Sequence, residues 1–126
     1  MKAKRNIDSN AIRESLFDLL SLVPMQSEEP FFGLEYKIPF NSGLCELDFM
    51  FTSDFSDNFF SLYVKYQEDY IVRLYSEKLQ NVELHADKSE IYIHAHFQYR
   101  NMNAHAKVYL SPAVKCTWNL INGETR

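Results

Sequence analysis

Apolar and polar residues alternate most regularly in the segment Glu90–Leu110. The alternation has period two over Ile91–Tyr99 and resumes over Ala104–Leu110, after a polar connection rich in asparagine. A strand with one buried face shows this pattern, and two such runs joined by a short turn predict a β-hairpin. The predicted polar face of the hairpin carries Tyr92, His94, His96, Gln98, His105, Lys107 and Tyr109.

The apolar residues of the two runs also predict a register for the hairpin. A slip by one residue would place apolar side chains opposite polar ones, so the pairing must keep both buried faces aligned. In the predicted register His105 lies diagonal to His96, with about 7–8 Å between their backbones, and His94 lies on the same face. We therefore expect three imidazoles to converge. The predicted pairs are Tyr99 with Ala104, Phe97 with Ala106, and Ala95 with Val108.

A helix is predicted near the N-terminus, from Asp8 or Ser9 to about Val23. Asp8 or Ser9 can cap the first turn. Pro24 cannot continue the helix because it lacks a backbone N–H. The spacing of the apolar positions predicts one buried stripe, which we expect to pack on a sheet. The stripe consists of Ile12, Leu16, Leu19, Leu20 and Val23.

Strands are predicted through most of the remaining chain. Pro39 cannot donate to a neighbouring strand, so its strand is expected at a sheet edge. Asn41–Gly43 is expected to form a hairpin turn. Segment 112–121 has two interpretations, since Pro112 suits the first turn of a helix whereas the alternation from Val114 onward favours a strand, which we prefer. The strands predicted before the 90–110 hairpin are 34–40, 45–52, 59–67, 70–75 and 82–85.

Together these elements predict an α+β fold. We expect an N-terminal helix packed on one face of a mainly antiparallel, twisted sheet of six to seven strands in meander order. A chain of 126 residues is long enough to bury a core without disulfides or metals. We therefore expect a single domain over residues 1–126, with flexible ends at 1–7 and 122–126.

The sequence predicts a cytoplasmic protein that needs no cofactor. The longest apolar run, 16–25, is interrupted by Asp18 and Pro24, and the basic N-terminus is not followed by an apolar segment, so neither a signal peptide nor a membrane span is expected. Cys45 and Cys116 are expected to be buried thiols in a reducing compartment, with a disulfide left open. The sequence contains no phosphate-binding glycine loop, no nucleophile elbow and no Cys-x-x-Cys pair, so we expect no cofactor.

Acidic residues are concentrated in the middle of the chain. The net charge of the whole chain is −4, and residues 41–69 contain six acidic residues against one basic residue. A protein that binds nucleic acid without sequence preference needs clustered Lys and Arg, so this class is not expected. The acidic segment, with apolar residues interleaved, instead predicts a surface that docks on a basic protein. This acidic patch comprises Glu46, Asp48, Met50, Asp54, Phe55 and Asp57.

From these features we expect a non-catalytic protein-binding module. Small acidic inhibitors, such as toxin-immunity proteins and phage-encoded antagonists of host defence, neutralise basic partners through charge complementarity and a few apolar contacts. The analogy is one of size and charge. Self-association is a further hypothesis, because Tyr92 and Tyr109 are expected on an exposed face.

The histidines of the hairpin support an alternative function. His94, His96 and His105 could bind a metal ion through neutral imidazoles, although the sequence shows no obvious carboxylate to complete the site. The string His94-Ala95-His96-Phe97-Gln98 also resembles the alternating signature of histidine-triad nucleotide hydrolases and transferases. That resemblance implies that His96 is the nucleophile that attacks a phosphorus atom and that its neighbours stabilise the leaving group. The chain departs from this family in its scarcity of glycine, with three in all.

Overall fold

The structure is a computed structural model that describes residues 9–25, 33–52, 58–100 and 102–122. These residues form one α-helix and eight β-strands. They divide into two compact units, of which 9–77 holds the helix and four strands and 78–122 holds the other four strands. Each unit contains its own antiparallel sheet.

The N-terminal helix, α1, spans Ser9–Leu20 and contacts the first strand of its unit. Ile12 and Leu16 are buried, which confirms the centre of the predicted apolar stripe. Leu19, by contrast, is 46% exposed. The buried face of α1 is therefore narrower than the sequence predicts.

The helix ends earlier than predicted, at Leu20 rather than near Val23. Ser21 has a left-handed backbone with φ of 58°, and its N–H donates to the carbonyl of Phe17 at 2.9 Å. This is the hydrogen bond of a left-handed C-terminal cap, which closes the helix before Pro24 can act. Val23 consequently lies beyond the helix and is 65% exposed.

The first sheet is an antiparallel meander in the order β1-β2-β3-β4. Its first strand lies at an edge and contains Pro39, as predicted. Left-handed backbone at Asn41, Ser42 and Gly43 forms the predicted turn into the second strand. Four strands make up the sheet: β1 (Gly33–Phe40), β2 (Cys45–Thr52), β3 (Phe60–Tyr66) and β4 (Asp69–Ser76).

Aromatic rings fill the buried face of the first sheet. Phe49 is fully buried and stacks between Tyr36, at 5.4 Å between ring centroids, and Phe60, at 6.3 Å. Alternation in β2 buries every second residue from Cys45 to Phe51, as the sequence predicts. The intervening residues of β2 therefore lie on the opposite face, which we call the polar face of the first sheet.

The second sheet is also an antiparallel meander, in the order β5-β6-β7-β8. Ile93, Ala95 and Phe97 are buried on one face, as predicted, and Phe97 stacks on Trp118 with 5.2 Å between ring centroids. Segment 115–122 is a strand, which confirms the preferred interpretation of this region. Its strands are β5 (Leu79–Ala86), β6 (Ile91–Gln98), β7 (Met102–Ser111) and β8 (Lys115–Asn122).

The prediction of a single sheet with six to seven strands is wrong, because the described residues form eight strands in two sheets. The division falls between β4 and β5, which are consecutive in the chain but do not pair. Segment 79–86, predicted only as a short strand over 82–85, is a full strand that forms the edge of the second sheet. Alternation determines which face a side chain takes, but it does not determine whether two consecutive strands pair.

The predicted register of the 90–110 hairpin is wrong by two residues. Phe97 pairs with Ala104 rather than with Ala106, and the N–H of Tyr99 donates to the carbonyl of Met102 at 2.8 Å. The strands therefore pair closer to the turn than predicted, since Asn103, expected in the polar connection, pairs with Gln98. Over residues 92–98 the shift by two keeps the side chains on their predicted faces, so the burial pattern there was correct even though the pairing was not.

Among the described residues, no helix is long and apolar enough to cross a membrane. Cys45 is buried and Cys116 is half-buried, and both are free thiols. Burial raises the pKa of the Cys116 thiol. The predicted flexible ends 1–7 and 123–126 lie outside the described residues, while Asn122 closes β8.

Candidate functional site

Strand β2 positions the described part of the predicted acidic patch. Glu46, Asp48 and Met50 alternate with the buried residues of β2, so all three lie on the polar face of the first sheet and are partly exposed. The other members of the patch, Asp54, Phe55 and Asp57, lie outside the described residues.

Hydrogen bonds connect the residues on either side of segment 53–57, which carries Asp54, Phe55 and Asp57. The hydroxyl of Thr52 donates to Asn58 Oδ1 at 3.4 Å, and the N–H of Phe59 donates to Thr52 Oγ1 at 3.0 Å. Thr52 and Asn58 are both buried. These bonds hold the end of β2 against the start of β3.

Strand pairing places basic residues beside the acidic ones. Lys37 on β1 lies opposite Asp48, and Lys65 on β3 lies opposite Glu46. Cross-strand neighbours on one face have side chains close enough to interact. The described polar face therefore sets a basic residue opposite each of these two carboxylates, whereas the count along the chain indicated an acidic surface.

Asp48 has the most perturbed carboxyl group on this face. Partial burial raises its pKa, and a hydrogen bond and charge repulsion from Glu35 on β1 raise it further, to about 7. Glu46 acts in the same direction, while Lys37 lowers the pKa of Asp48. Burial and a neighbouring carboxyl group both disfavour the ionised form of a carboxyl, so Asp48 holds its proton to a higher pH than usual.

Aromatic residues continue the polar face across β3 and β4. Tyr63 and Tyr70 meet edge to face with 5.8 Å between ring centroids, and the Arg73 guanidinium lies 4.6 Å from the centre of the Tyr70 ring. Tyr75 stacks on Phe59 at 5.2 Å and is 54% exposed. Partly exposed tyrosines beside arginine are typical of binding surfaces. The alternation along the chain did not reveal this row, and β4 lies at the edge of its sheet.

The second sheet brings all four histidines of the chain to one face. In the first row across the sheet, His96 pairs with His105, and in the next row His94 pairs with Glu83 on one side and with Lys107 on the other. His85 lies on the same face, and its ring stacks on Tyr92 at 4.8 Å. We call this surface the histidine face; it is defined by Glu83, His85, His94, His96 and His105.

The imidazoles of the histidine face contact one another. His94 Nε2 lies 3.0 Å from His105 Nδ1, and the His94 and His96 ring centroids are 4.1 Å apart. Partial burial, together with repulsion from the neighbouring imidazoles and Lys107, lowers the pKa of His94 to about 4. Burial and the same neighbours also lower the pKa of His105. The convergence of His94, His96 and His105 predicted from the alternation is confirmed, although His105 lies directly opposite His96 and not diagonal to it.

Glu83 supplies a carboxylate that was not predicted beside the histidines. One carboxylate oxygen accepts a hydrogen bond from Asn81 Nδ2 at 2.9 Å, and the other lies 3.1 Å from His85 Nε2. The bond from Asn81 lowers the pKa of Glu83, and His85 lowers it further. The alternation of Asn81, Glu83 and His85 with apolar residues was visible in the sequence, but only the pairing of β5 with β6 places Glu83 beside His94.

A hydrolase or transferase mechanism at His96 stays a prediction. Gln98, the last residue of the motif that resembles the histidine-triad signature, is exposed and donates through Nε2 to the carbonyl of Tyr99 at 2.9 Å.

Tyr92 and Tyr109, the residues predicted to support self-association, lie on the histidine face with ring centroids 4.9 Å apart. Both are partly buried, and Lys107 and Lys115 lie over their rings.

No protein-family model matches the sequence, and no curated protein matches it. Among solved structures, the chain is similar to one chain of a contact-dependent growth inhibition toxin–immunity protein complex from Klebsiella pneumoniae 342. The TM-score is 0.75, the sequences are 14% identical, and the match covers 96% of this chain and 100% of the other. At this identity the likeness concerns the fold.

Proposed function

We propose that this protein is a non-catalytic protein-binding module of the immunity type, which neutralises a partner toxin by binding it. The observation that carries the proposal is the likeness in fold, over nearly the whole chain, to one chain of a toxin–immunity protein complex. An immunity protein acts by binding, so it needs only a surface complementary to its partner. The alternative role within such a complex, that of the toxin, would require a separate toxic activity.

The polar face of the first sheet has the chemistry that such binding needs. Glu46 and Asp48 provide carboxylates that can pair with basic residues of a partner, and charge complementarity increases both the association rate and the specificity of binding. Tyr70 and Tyr75 are about half exposed and provide large rigid side chains for the centre of an interface. Met50 follows Asp48 on the same face of β2, opposite Glu35 and Ser61, and its flexible side chain can adapt to an irregular surface.

We infer that the partner presents basic residues spaced to meet the carboxylates of β2. Because Lys37 and Lys65 lie opposite those carboxylates, the described face pairs best with a partner surface that carries acidic residues beside its basic ones. The remaining acidic-patch residues, Asp54, Phe55 and Asp57, are proposed to extend this contact. The net charge of the whole chain, −4, also favours encounter with a basic protein.

The proposal is tested by protection of cells from a contact-dependent growth inhibition toxin domain of the same host. Co-expression of the wild-type protein is expected to restore growth, and purified protein and toxin domain are expected to form a complex. The double variant E46K/D48K is expected to lose affinity by about 100-fold or more, since truncating or reversing paired interface charges costs about 2–5 kcal/mol. Isothermal titration calorimetry measures this change.

A matched control reverses two exposed carboxylates elsewhere in the same unit. The variant E14K/D18K on α1 changes the net charge equally and is expected to bind the toxin within about threefold of the wild type. Equal losses in the two double variants would show that total charge, and not the polar face, governs binding. If no toxin domain of the host binds and growth is not restored, the immunity function is wrong.

A further inference from the structure

We propose that Glu83, His94 and His96 form a binding site for a divalent transition-metal ion of the zinc class. The three residues each offer one ligand atom, and these atoms all lie within 4.8 Å of one another. The site uses none of the residues proposed for partner binding. Its test is therefore independent of the proposed function.

The backbone positions these ligands on two paired strands. Glu83 on β5 lies directly opposite His94 on β6, and His96 follows two residues later on the same face. Ligands on neighbouring strands keep their Cβ atoms fixed, so a bound ion needs only rotation of side chains. Ligand atoms on a tetrahedral zinc ion are separated by about 3.2–3.5 Å, given bonds of about 2.0–2.2 Å. Rotations that move each atom by about 1 Å bring the set within this range.

The donor set indicates which ions fit. Two imidazole nitrogens and one carboxylate oxygen suit Zn²⁺ and the neighbouring ions Ni²⁺, Cu²⁺ and Fe²⁺, whereas Mg²⁺ and Ca²⁺ prefer an all-oxygen site. Three protein ligands with a fourth position open to water is also the arrangement of many zinc sites. We therefore infer a borderline-soft divalent cation, with Zn²⁺ as the probe.

Neighbouring side chains already orient the ligands. Asn81 donates to one oxygen of Glu83, and His85 contacts the other oxygen at 3.1 Å. His105 Nδ1 lies 3.0 Å from His94 Nε2. Groups that hold metal ligands in this way typically change metal affinity by about 10- to 100-fold when they are removed.

The positive charge that opposes a cation here lies on Lys107, which pairs with His94 across β6 and β7. Its Nζ lies over the ring of Tyr92, 5.3 Å from the ring centre. The π face of Tyr92 attracts the ammonium group, and this contact draws it toward the next row of the sheet. Glu83 lies on the other side of His94 and supplies the negative charge that two imidazoles lack.

The experiment is titration of the metal-free full chain with ZnCl₂ by isothermal titration calorimetry. We expect one ion per chain with a dissociation constant of about 10 μM or tighter. The variants E83Q, H94Q and H96Q are each expected to weaken binding by at least tenfold. Because E83Q changes a partly exposed side chain on a sheet edge, it is expected to retain the fold, which far-UV circular dichroism and Trp118 fluorescence verify.

The matched control is E77Q, which makes the same chemical change at an exposed carboxylate outside the site. It is expected to bind Zn²⁺ within twofold of the wild type. Titration with Co²⁺ provides a spectroscopic readout, since tetrahedral coordination gives visible absorption that E83Q is expected to diminish. Wild-type affinity in E83Q would overturn the proposal, because two adjacent imidazoles alone would then account for the binding. Binding weaker than about 1 mM, or several ions per chain, would overturn it as well.

Discussion

Replacing Asp48 by asparagine tests the electrostatics of the polar face of the first sheet. Asp48 is surrounded by Glu35 and Lys37 on β1, Glu46 on its own strand, and Tyr63 on β3. Burial and the two neighbouring carboxyl groups raise the pKa of Asp48 from 3.8 to about 7. Asparagine keeps the size of the side chain but cannot ionise.

The raised pKa makes stability depend on pH in a defined window. Between about pH 4 and pH 7 the folded chain retains a proton on Asp48 that the unfolded chain has released, so the free energy of unfolding falls as the pH rises through this window. Each pH unit contributes at most about 1.4 kcal/mol. Because Asp48 is partly exposed and Lys37 lies opposite, solvent and counter-charge reduce the total to about 1–2 kcal/mol.

The assay is urea unfolding of the wild type and of D48N at pH 4.5 and pH 8.0. From pH 4.5 to pH 8.0 the free energy of unfolding of D48N is expected to rise by about 1–2 kcal/mol relative to that of the wild type, since only the wild type loses the Asp48 proton. The variant E35Q serves as a second test. Its amide can donate to the Asp48 carboxylate, so the decline in stability should move to lower pH. Parallel pH profiles for the wild type and D48N would refute the assignment of a raised pKa to Asp48.

Two further substitutions test the fold. F49A is expected to lower the free energy of unfolding by about 3–5 kcal/mol, because Phe49 is fully buried between the rings of Tyr36 and Phe60. The control is F17A, at a residue that is 56% exposed. It should lower the free energy of unfolding by less than about 1 kcal/mol. S21G is expected to raise the free energy of unfolding by about 1 kcal/mol, since Ser21 has φ of 58° and glycine adopts left-handed backbone without a Cβ clash. Chemical denaturation measures both changes. Equal losses of stability in F49A and F17A would contradict the packing of Phe49. A loss of stability in S21G would contradict the left-handed helix cap.

Local patterns in the sequence were sufficient for most individual elements. The alternation in β2 and β6 identified the buried side of each strand, since a strand presents successive side chains to opposite faces whatever its partner is. Asn41–Gly43 was identifiable as a turn because few residue types tolerate left-handed backbone. The shift in the register of the 90–110 hairpin left those faces unchanged, because it was a shift by two.

The candidate sites depended on contacts between residues far apart in the chain. Neither the opposition of Lys37 and Asp48 nor that of Glu83 and His94 follows from any local pattern, because each depends on which strands pair and in which register. The basic residues beside Glu46 and Asp48, and the carboxylate that β5 places beside the histidines, therefore could not be predicted from the sequence.

Residue periodicity thus specified most of the helix, most of the strands and the side that β2 and β6 bury, since these depend on a few neighbouring residues. The separation into two four-stranded sheets and the composition of both surfaces required the folded chain. Their physical basis is the pairing of strands through backbone hydrogen bonds, which brings together side chains whose chemistry no short stretch of sequence contains.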